Sequence, residues 1–259
     1  MKNLTVIIPL DNLETEEKKN LLLNALKSVD DSKIVIVGPK KAMENLDSMD
    51  LSKFKFTKLT NTGKDKSYAA QVNMAAKEIK TDYFSVLEYD DTYTGIWFKN
   101  VEAYIASDVN NIFAFLPLTE VKDYRTGEII AYSNEAVWAS SFSDEIGYYD
   151  LQCIEDYFGF NASGGVFKTE DFNAAGGLKA SMKLVNWYEF FMRMLYKGKK
   201  IFVIPKVGYY HIVNRPGSIT ETYATEMSEK EAEWWIDLAK KEYFFPQDRK
   251  KVYKEEEES

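Results

Sequence analysis

The chain opens with two short runs of aliphatic and β-branched residues, which are separated by a segment with helical spacing. The runs cover residues 4–10 and 33–39, and both contain a proline at or near the end. Between them, Leu22, Ala25 and Leu26 recur at intervals that place them on one face of a helix. The pattern predicts a β-α-β unit with parallel strands, both buried on two faces, and a right-handed crossover.

The same alternation continues to about residue 100. Residues 54–59 and 83–86 have the composition of strands, and Ser67 stands where it could cap a helix that runs through Ala76. We therefore expect a doubly wound α/β arrangement, in which residues 1–100 form a nucleotide-binding half.

The second part of the chain is less regular. The segments with helical or strand patterns are 97–105, 112–118, 187–196, 200–205 and 228–244. Between them, residues 123–160 form a long stretch of short aromatic and polar pieces, and such stretches are often functional. We predict one α/β domain over residues 1–222, with an acceptor-side half at 101–222. A C-terminal helix and an acidic tail would follow over residues 223–259.

Composition excludes several classes of function. The net charge is −8 and the basic residues do not form a stripe, which argues against binding to nucleic acid or to an anionic membrane. Cys153 is the sole cysteine, so neither an intrachain disulfide nor a cysteine-based zinc site can form. The sequence contains no apolar run of about 20 residues and does not begin with a signal-peptide pattern. These observations predict a cytoplasmic protein.

Acidic residues directly follow the strand pattern at 83–86. Glu88, Asp90 and Asp91 would lie at the carboxyl end of this strand, where ligands bind in open α/β sheets. Carboxylates are the ligands that Mg²⁺ and Mn²⁺ prefer, often together with a substrate phosphate. The segment indicates either a metal-bound nucleotide diphosphate or an acidic, solvated turn.

Several motifs occur in an order that carries a resemblance. A strand ending in Val6-Ile7-Ile8-Pro9 comes first, followed by Ala70-Gln71-Val72-Asn73 and the acidic strand end. Next come Gly164-Gly165-Val166-Phe167, Gly176-Gly177-Leu178, Tyr209-Tyr210-His211 and Arg215-Pro216-Gly217-Ser218-Ile219-Thr220. Over residues 4–220 this order resembles the family-2 glycosyltransferases, which have the A-type glycosyltransferase fold. The compact size also resembles glycosyltransferase-like proteins of tailed phages.

The resemblance implies an α/β fold with a mostly parallel central sheet flanked by helices, and inverting sugar transfer from a UDP- or GDP-linked sugar. It implies Mn²⁺ or Mg²⁺ as cofactor, held by a set of residues at the strand end and near the late histidine. These ligands would be Glu88, Asp90, Asp91 and His211. Substrate contacts would come from Asp11, Asn73, Gly164, Gly165 and Tyr188.

The chain departs from the family pattern at the expected catalytic base. Where the family has a Glu-Asp pair at the start of the late helix, this chain has Asn186-Trp187. Trp187 cannot accept a proton, and the nearest acid, Glu189, would lie about 200° around the helix. Glu155-Asp156 is another candidate base. In addition, residues 37–41 lack the acids that the family uses to hold the nucleotide.

The resemblance and the departures from it leave three candidate functions. The first is an active glycosyltransferase in which Glu189 or another acid replaces the usual base and Trp187 or Tyr188 stacks on a sugar. The second is a catalytically inactive module with a protein assembly partner, for example in a phage particle, which would place it in the host cytoplasm or the virion. The third is a nucleotidyltransferase, which we rank last because Leu10-Asp11-Asn12-Leu13 has neither glycine nor a basic residue.

Overall fold

The first half of the chain folds as strands and helices in strict alternation. A computed structural model describes residues 1–107, 112–157, 159–218, 222, 226–241 and 243. The elements of the first half are β1 (Leu4–Pro9), α1 (Glu16–Ser28), β2 (Lys33–Pro39), α2 (Lys40–Asp47), β3 (Thr57–Asn61), α3 (Tyr68–Glu78) and β4 (Tyr83–Val86). Their strands pair in parallel in the order β3-β2-β1-β4, as the sequence pattern predicts.

The second half extends the same sheet. Its elements are β5 (Thr92–Tyr93), α4 (Trp97–Ala106), β6 (Ile112–Asp123), β7 (Ile129–Ser133), a 3₁₀ turn (Glu135–Trp138), β8 (Tyr148–Tyr149), α5 (Leu151–Asp156), β9 (Val166–Lys168), α6 (Thr169–Ala174), α7 (Asn186–Tyr196), β10 (Lys200–Val213) and α8 (Glu229–Lys240). The sheet continues from β4 through β9, β6 and β10 to β5. Strand β9 is antiparallel to both β4 and β6, so the sheet as a whole is mixed.

The sheet separates two apolar layers. Because side chains alternate along a strand, Ile7 faces one layer while Val6 and Ile8 face the other. The first layer is closed by α3, α6, α7 and α8, and the second by α1, α2 and α4. The fold prediction of a central sheet flanked by helices is therefore confirmed.

Local signals in the sequence are confirmed where they are strong. The side chain of Ser67 accepts a hydrogen bond from Ala70 N at 3.3 Å and caps α3. Gly198 follows the predicted helix 187–196, where the sequence pattern also indicates a helix end, and its φ of +73° is a left-handed conformation that favours glycine. In contrast, β10 does not end at Pro205 as the sequence pattern suggests. It continues to Val213 after register shifts between Ile204 and Tyr209.

The C-terminal helix α8 packs on the first apolar layer. Ala239 and Tyr243 are buried in this layer, and the Tyr243 ring lies edge-on to Tyr196 at 5.7 Å. The predicted acidic tail (254–259), the end of the predicted helix at 244, and Ile219-Thr220 lie outside the described residues. Among the residues that the structure describes, no helix combines the length and the apolar composition needed to span a bilayer. The boundary at residue 222 stays a prediction.

Candidate functional site

A tight turn projects three carboxylates from the carboxyl end of β4. Leu87 N still donates to Ile7 O, at 2.9 Å, and the chain then turns so that Asp91 N donates to Glu88 O at 3.0 Å. The Tyr209 hydroxyl accepts a hydrogen bond from Glu88 N at 3.2 Å. The turn is thus fixed by β1 on one side and by β10 on the other, and we call residues 88–91 the acidic turn.

Asp91 is buried and binds two groups of β10. Its Oδ2 atom lies 2.8 Å from His211 Nδ1, and its Oδ1 atom accepts a hydrogen bond from Ile212 N at 2.8 Å. Burial alone would lower the pKa of His211, but the Asp91 carboxylate and, more weakly, Glu88 and Asp90 raise it to about 9. The late histidine predicted from the sequence is therefore at the site, as a partner of Asp91.

Asp90 is held by an arginine. Arg215 Nε donates to Asp90 Oδ2 at 2.7 Å, and Arg215 Nη2 donates to the Tyr89 hydroxyl at 2.9 Å. The two charged side chains are only 5% and 10% exposed, so water competes little for this pair. Burial and the neighbouring Asp91 raise the pKa of Asp90, while Arg215 opposes this effect.

Glu88 faces the glycine-containing loop. The Ser163 hydroxyl donates to Glu88 Oε1 at 2.7 Å. Burial, followed by repulsion from Asp91, raises the pKa of Glu88 to about 7, and His211 and Ser163 partly offset this shift. Glu88 is thus bound by the loop that leads into Gly164 and Gly165.

Gly164 and Gly165 lie where the loop packs against its neighbours. Gly164 has φ +76°, and a Cβ atom there would overlap the ring of Tyr209. Gly164 N donates to Val86 O at 3.0 Å, and the Trp97 indole donates to Gly164 O at 2.8 Å. The loop therefore needs glycine for close packing, whether or not it also contacts a sugar.

A buried asparagine, which sequence reasoning missed, supports this loop. Asn134 Oδ1 accepts from Asn161 N at 2.8 Å, and Asn134 Nδ2 donates to Asn161 O at 2.9 Å. Asn161 Oδ1 in turn accepts from Ser163 N at 2.8 Å. Asn134 has φ 72°, unusual for a residue other than glycine. The chain of contacts from Asn134 to Ser163 ends at Glu88.

Asp11 lies after β1, at the same edge of the sheet as the acidic turn. Lys18 Nζ contacts Asp11 Oδ2 at 3.1 Å and lies 5.9 Å from the centre of the Tyr89 ring. The Arg215 guanidinium lies 5.3 Å from the same ring centre. Tyr89 thus connects Asp11 and Lys18 with the Asp90–Arg215 pair.

Asn73 serves a different local purpose in this structure. Its side chain donates to Leu178 O at 2.7 Å and accepts from Leu178 N at 2.8 Å. A Cβ atom at Gly177 would overlap the Asn73 amide, so the glycine pair and Asn73 fit each other. The amide joins α3 to the turn that follows α6, and its role in substrate binding stays a prediction.

Trp187 and Tyr188, which the sequence suggested as sugar-stacking residues, pack against other residues of the chain. The Trp187 ring stacks on Phe167 at 4.7 Å, and its Nε1 donates to the Tyr68 hydroxyl at 3.1 Å. The buried Tyr188 donates its hydroxyl to Glu155 O at 2.8 Å. These contacts favour packing roles over stacking on a sugar.

Glu189 is fully buried in a cluster of donors. Arg193 binds both carboxylate oxygens, at 3.0 and 2.7 Å, and Lys179 Nζ lies 3.0 Å from Oε1. The Tyr243 hydroxyl donates to the same oxygen at 2.8 Å. A carboxylate with this set of partners is poorly suited to take a proton from an acceptor. The contacts give Glu189 a structural role, and its role as a base stays a prediction.

The four predicted metal ligands bind groups of their own chain. Within the described ranges, no group of three or more His, Cys, Asp and Glu side chains is arranged to hold a metal ion. His211 Nδ1 is directed at Asp91, and Asp90 is directed at Arg215. The donor set in this arrangement does not fit a divalent cation.

We compared the chain with family models, curated proteins and solved structures, and solved structures alone gave matches. No family model and no curated protein matches the sequence. S. aureus TarS 1–349 in complex with UDP-GlcNAc is similar over 85% of this chain and 61% of its own, with TM-score 0.58 and 17% identity. The complex of TarS 1–349 with UDP has TM-score 0.56 and 15% identity, over 92% of this chain and 78% of its own.

A second protein gives the same result. The mannosyltransferase PcManGT from Pyrobaculum calidifontis, in complex with GDP-Man and Mn²⁺, has TM-score 0.58 and 15% identity. The match covers 83% of this chain and 58% of that protein. At these identities the likeness concerns the fold: the chain has the A-type glycosyltransferase fold.

Proposed function

We propose that the protein binds a nucleoside diphosphate sugar at the carboxyl edge of β1 and β4 and transfers the sugar to an acceptor. In open α/β sheets, ligands bind at this edge of the strands. The similar proteins bind UDP-GlcNAc, UDP and GDP-Man, so UDP- and GDP-linked sugars are the donors to test first.

One observation supports this proposal most strongly. Two parts of the chain that are far from the acidic turn in sequence meet there: the Ser163 loop, and the segment that runs from the end of β10 to Arg215. Burying charged groups costs free energy unless they are paired and hydrogen-bonded. Carboxyl groups with shifted pKa values at the ligand-binding edge of a sheet are typical of functional sites.

We assign roles to the residues at this edge. Asp11 would contact the nucleoside, because it follows β1 and its side chain is 35% exposed. Glu88 and the loop at Gly164 and Gly165 would lie beside the donor sugar. Asp90 and Asp91 would hold Arg215 and β10 in place around the diphosphate.

Binding can be tested by calorimetric titration with UDP-GlcNAc and GDP-mannose, each with Mn²⁺ and with EDTA. Asp11→Asn should weaken the binding of the preferred donor by about fivefold, the effect of losing one hydrogen bond of ordinary strength. Asp47→Asn is the matched control, because Asp47 also pairs with one lysine, Lys58, but is the last residue of α2. If neither donor binds, or both variants bind like the wild-type protein, the proposed site is wrong.

The start of α7 supports a second candidate. Trp187 stands at the position of the family's base, and Glu189 is enclosed by Arg193, Lys179 and Tyr243. A binding module with no transferase activity would therefore bind a nucleotide sugar, or a protein assembly partner, without turnover. Release of UDP or GDP from a bound donor, measured by a coupled assay, distinguishes the two. Phage origin and cytoplasmic or virion localisation remain predictions.

A further inference from the structure

The acidic turn already has a cation from its own chain. Arg215 forms a buried ion pair with Asp90, and the guanidinium also binds the Tyr89 hydroxyl. Arginine stays charged at every pH of interest. A divalent ion bound at Asp90 Oδ2 would have to displace this guanidinium and leave it buried without its partner, which is strongly unfavourable.

Two hydrogen bonds hold the segment that carries Arg215, one to the acidic turn and one to the end of β6. Ile212 N binds Asp91 Oδ1, and Asn214 Nδ2 donates to Asp123 Oδ2 at 2.7 Å. Asn214 has φ 59°, so its backbone is also committed to a tight bend. Moving Arg215 away from Asp90 would therefore break several contacts together.

Lysines follow the neighbouring strands at the same edge. Lys18 lies in α1 after β1, Lys40 and Lys41 begin α2 after β2, and Lys66 precedes α3 after β3. The side chains of Lys40 and Lys41 are 83% and 73% exposed and pair with Glu44 and Glu14, and ion pairs as exposed as these contribute little stability. These positions offer positive charge to an anion at the edge, whereas the family pattern would have acids after β2.

We infer that the protein binds the diphosphate of its donor without a divalent cation, with Arg215 as the counter-charge of Asp90 and the edge lysines as counter-charges of the phosphates. This inference rests on the proposed donor binding. It differs from the cofactor that the sequence resemblance implies. The reason is that Asp90 and His211, two of the four implied ligands, each bind a partner in their own chain.

Manganese binding by the protein alone tests the ion pair directly. Electron paramagnetic resonance of Mn²⁺ titrated with wild-type protein should show only the signal of the free ion. Arg215→Met should bind Mn²⁺, because Asp90 then lacks its cation, and Arg125→Met, which removes an exposed arginine, should not. Binding of Mn²⁺ by the wild-type protein that Asp90→Asn abolishes overturns the inference, as does a folded Arg215→Met that binds none.

Nucleotide titrations provide the second arm. The dissociation constants of UDP and GDP for the wild-type protein should agree within about twofold between EDTA and Mn²⁺. An affinity that is about tenfold or more higher with Mn²⁺ overturns the inference while leaving donor binding intact. If neither nucleotide binds under either condition, the proposed function fails, and the manganese titration alone decides whether Arg215 keeps the metal out.

Discussion

The indole Nε1 of Trp187 donates a hydrogen bond to the Tyr68 hydroxyl at 3.1 Å, which joins the first turn of α7 to the first turn of α3. The residue that replaces an expected catalytic acid thus has a defined structural task. The same ring stacks on Phe167, a buried residue of β9. Where the resemblance predicts a group for proton transfer, this chain therefore has a side chain that packs between α3, α7 and β9.

Replacing Trp187 by phenylalanine should lower the free energy of unfolding by about 1–3 kcal/mol, because a six-membered ring remains but the hydrogen bond and the packing of the second indole ring are lost. Urea denaturation followed by circular dichroism measures this change. Trp234→Phe is the control, since that side chain is 54% exposed, and it should change stability by less than about 0.5 kcal/mol. Equal effects of the two substitutions would contradict the assignment.

Glu189→Gln should destabilise the protein by about 3 kcal/mol, because Arg193 and Lys179 would lose their buried partner charge. Thermal or urea denaturation measures the loss. A catalytic role makes the opposite prediction: unchanged stability together with a large fall in the rate of sugar transfer. The variant therefore separates the sequence-based hypothesis from the structural one.

Gly164→Ala should destabilise the protein more than Gly176→Ala. Both glycines have positive φ, +76° and +87°, so both substitutions cost similar backbone strain. A Cβ atom at Gly164 would also overlap Tyr209, whereas Gly176 has open space around it. We expect a difference of about 1–3 kcal/mol, typical of overpacking, measured as the difference in unfolding free energy. Equal losses would show that the loop can move away from Tyr209.

Cys153 should react slowly with thiol reagents. Burial, with a smaller contribution from the nearby Asp150 carboxylate, raises the pKa of its thiol to about 12, although a backbone hydrogen bond at Asp150 opposes the shift. Because the thiolate is the reactive form, the rate at pH 8 should be on the order of a hundredfold or more below that of an unperturbed cysteine.

The pH dependence of this reaction provides the check. A raised pKa keeps the thiol protonated, so the rate should increase about tenfold per pH unit from pH 7 to pH 10 without reaching a plateau. The reaction of Cys153 with Ellman's reagent, compared with that of glutathione, measures both quantities. A plateau near pH 9 would show that the thiol is exposed in solution.

Local patterns allowed much of the fold to be predicted. Strand β2 has the predicted bounds, Ser67 caps α3, and the parallel pairing of β1, β2 and β4 follows from the alternation of strands and helices. These features depend on residues that are close together in the chain. The late part of β10 was missed because Pro205 usually ends a strand, and the register shifts that accommodate it have no sequence signal.

The sequence predicted which acidic and histidine residues come together at the site, but it did not predict their hydrogen-bond partners. Glu88, Asp90, Asp91 and His211 do meet, as the order of motifs suggests, but with partners that the sequence could not indicate. Ser163 is 75 residues from Glu88, and Arg215 is 125 residues from Asp90. Asn134 gave no signal at all, because an asparagine in an aromatic segment suggests a turn rather than a buried anchor.

Between Ile204 and Tyr209, β10 shifts its register against β6, so the number of residues in this stretch determines which side chains of late β10 face the acidic turn. Tyr209 and His211 reach the acidic turn from the same side of the strand, because they are two residues apart. Deleting a single residue between positions 205 and 208 would turn both side chains to the opposite side and bring Tyr210 and Ile212 toward the acids instead. The first half of β10 would keep its pairing with β6, so the shortened chain would still fold. His211 would then no longer reach Asp91 in the acidic turn.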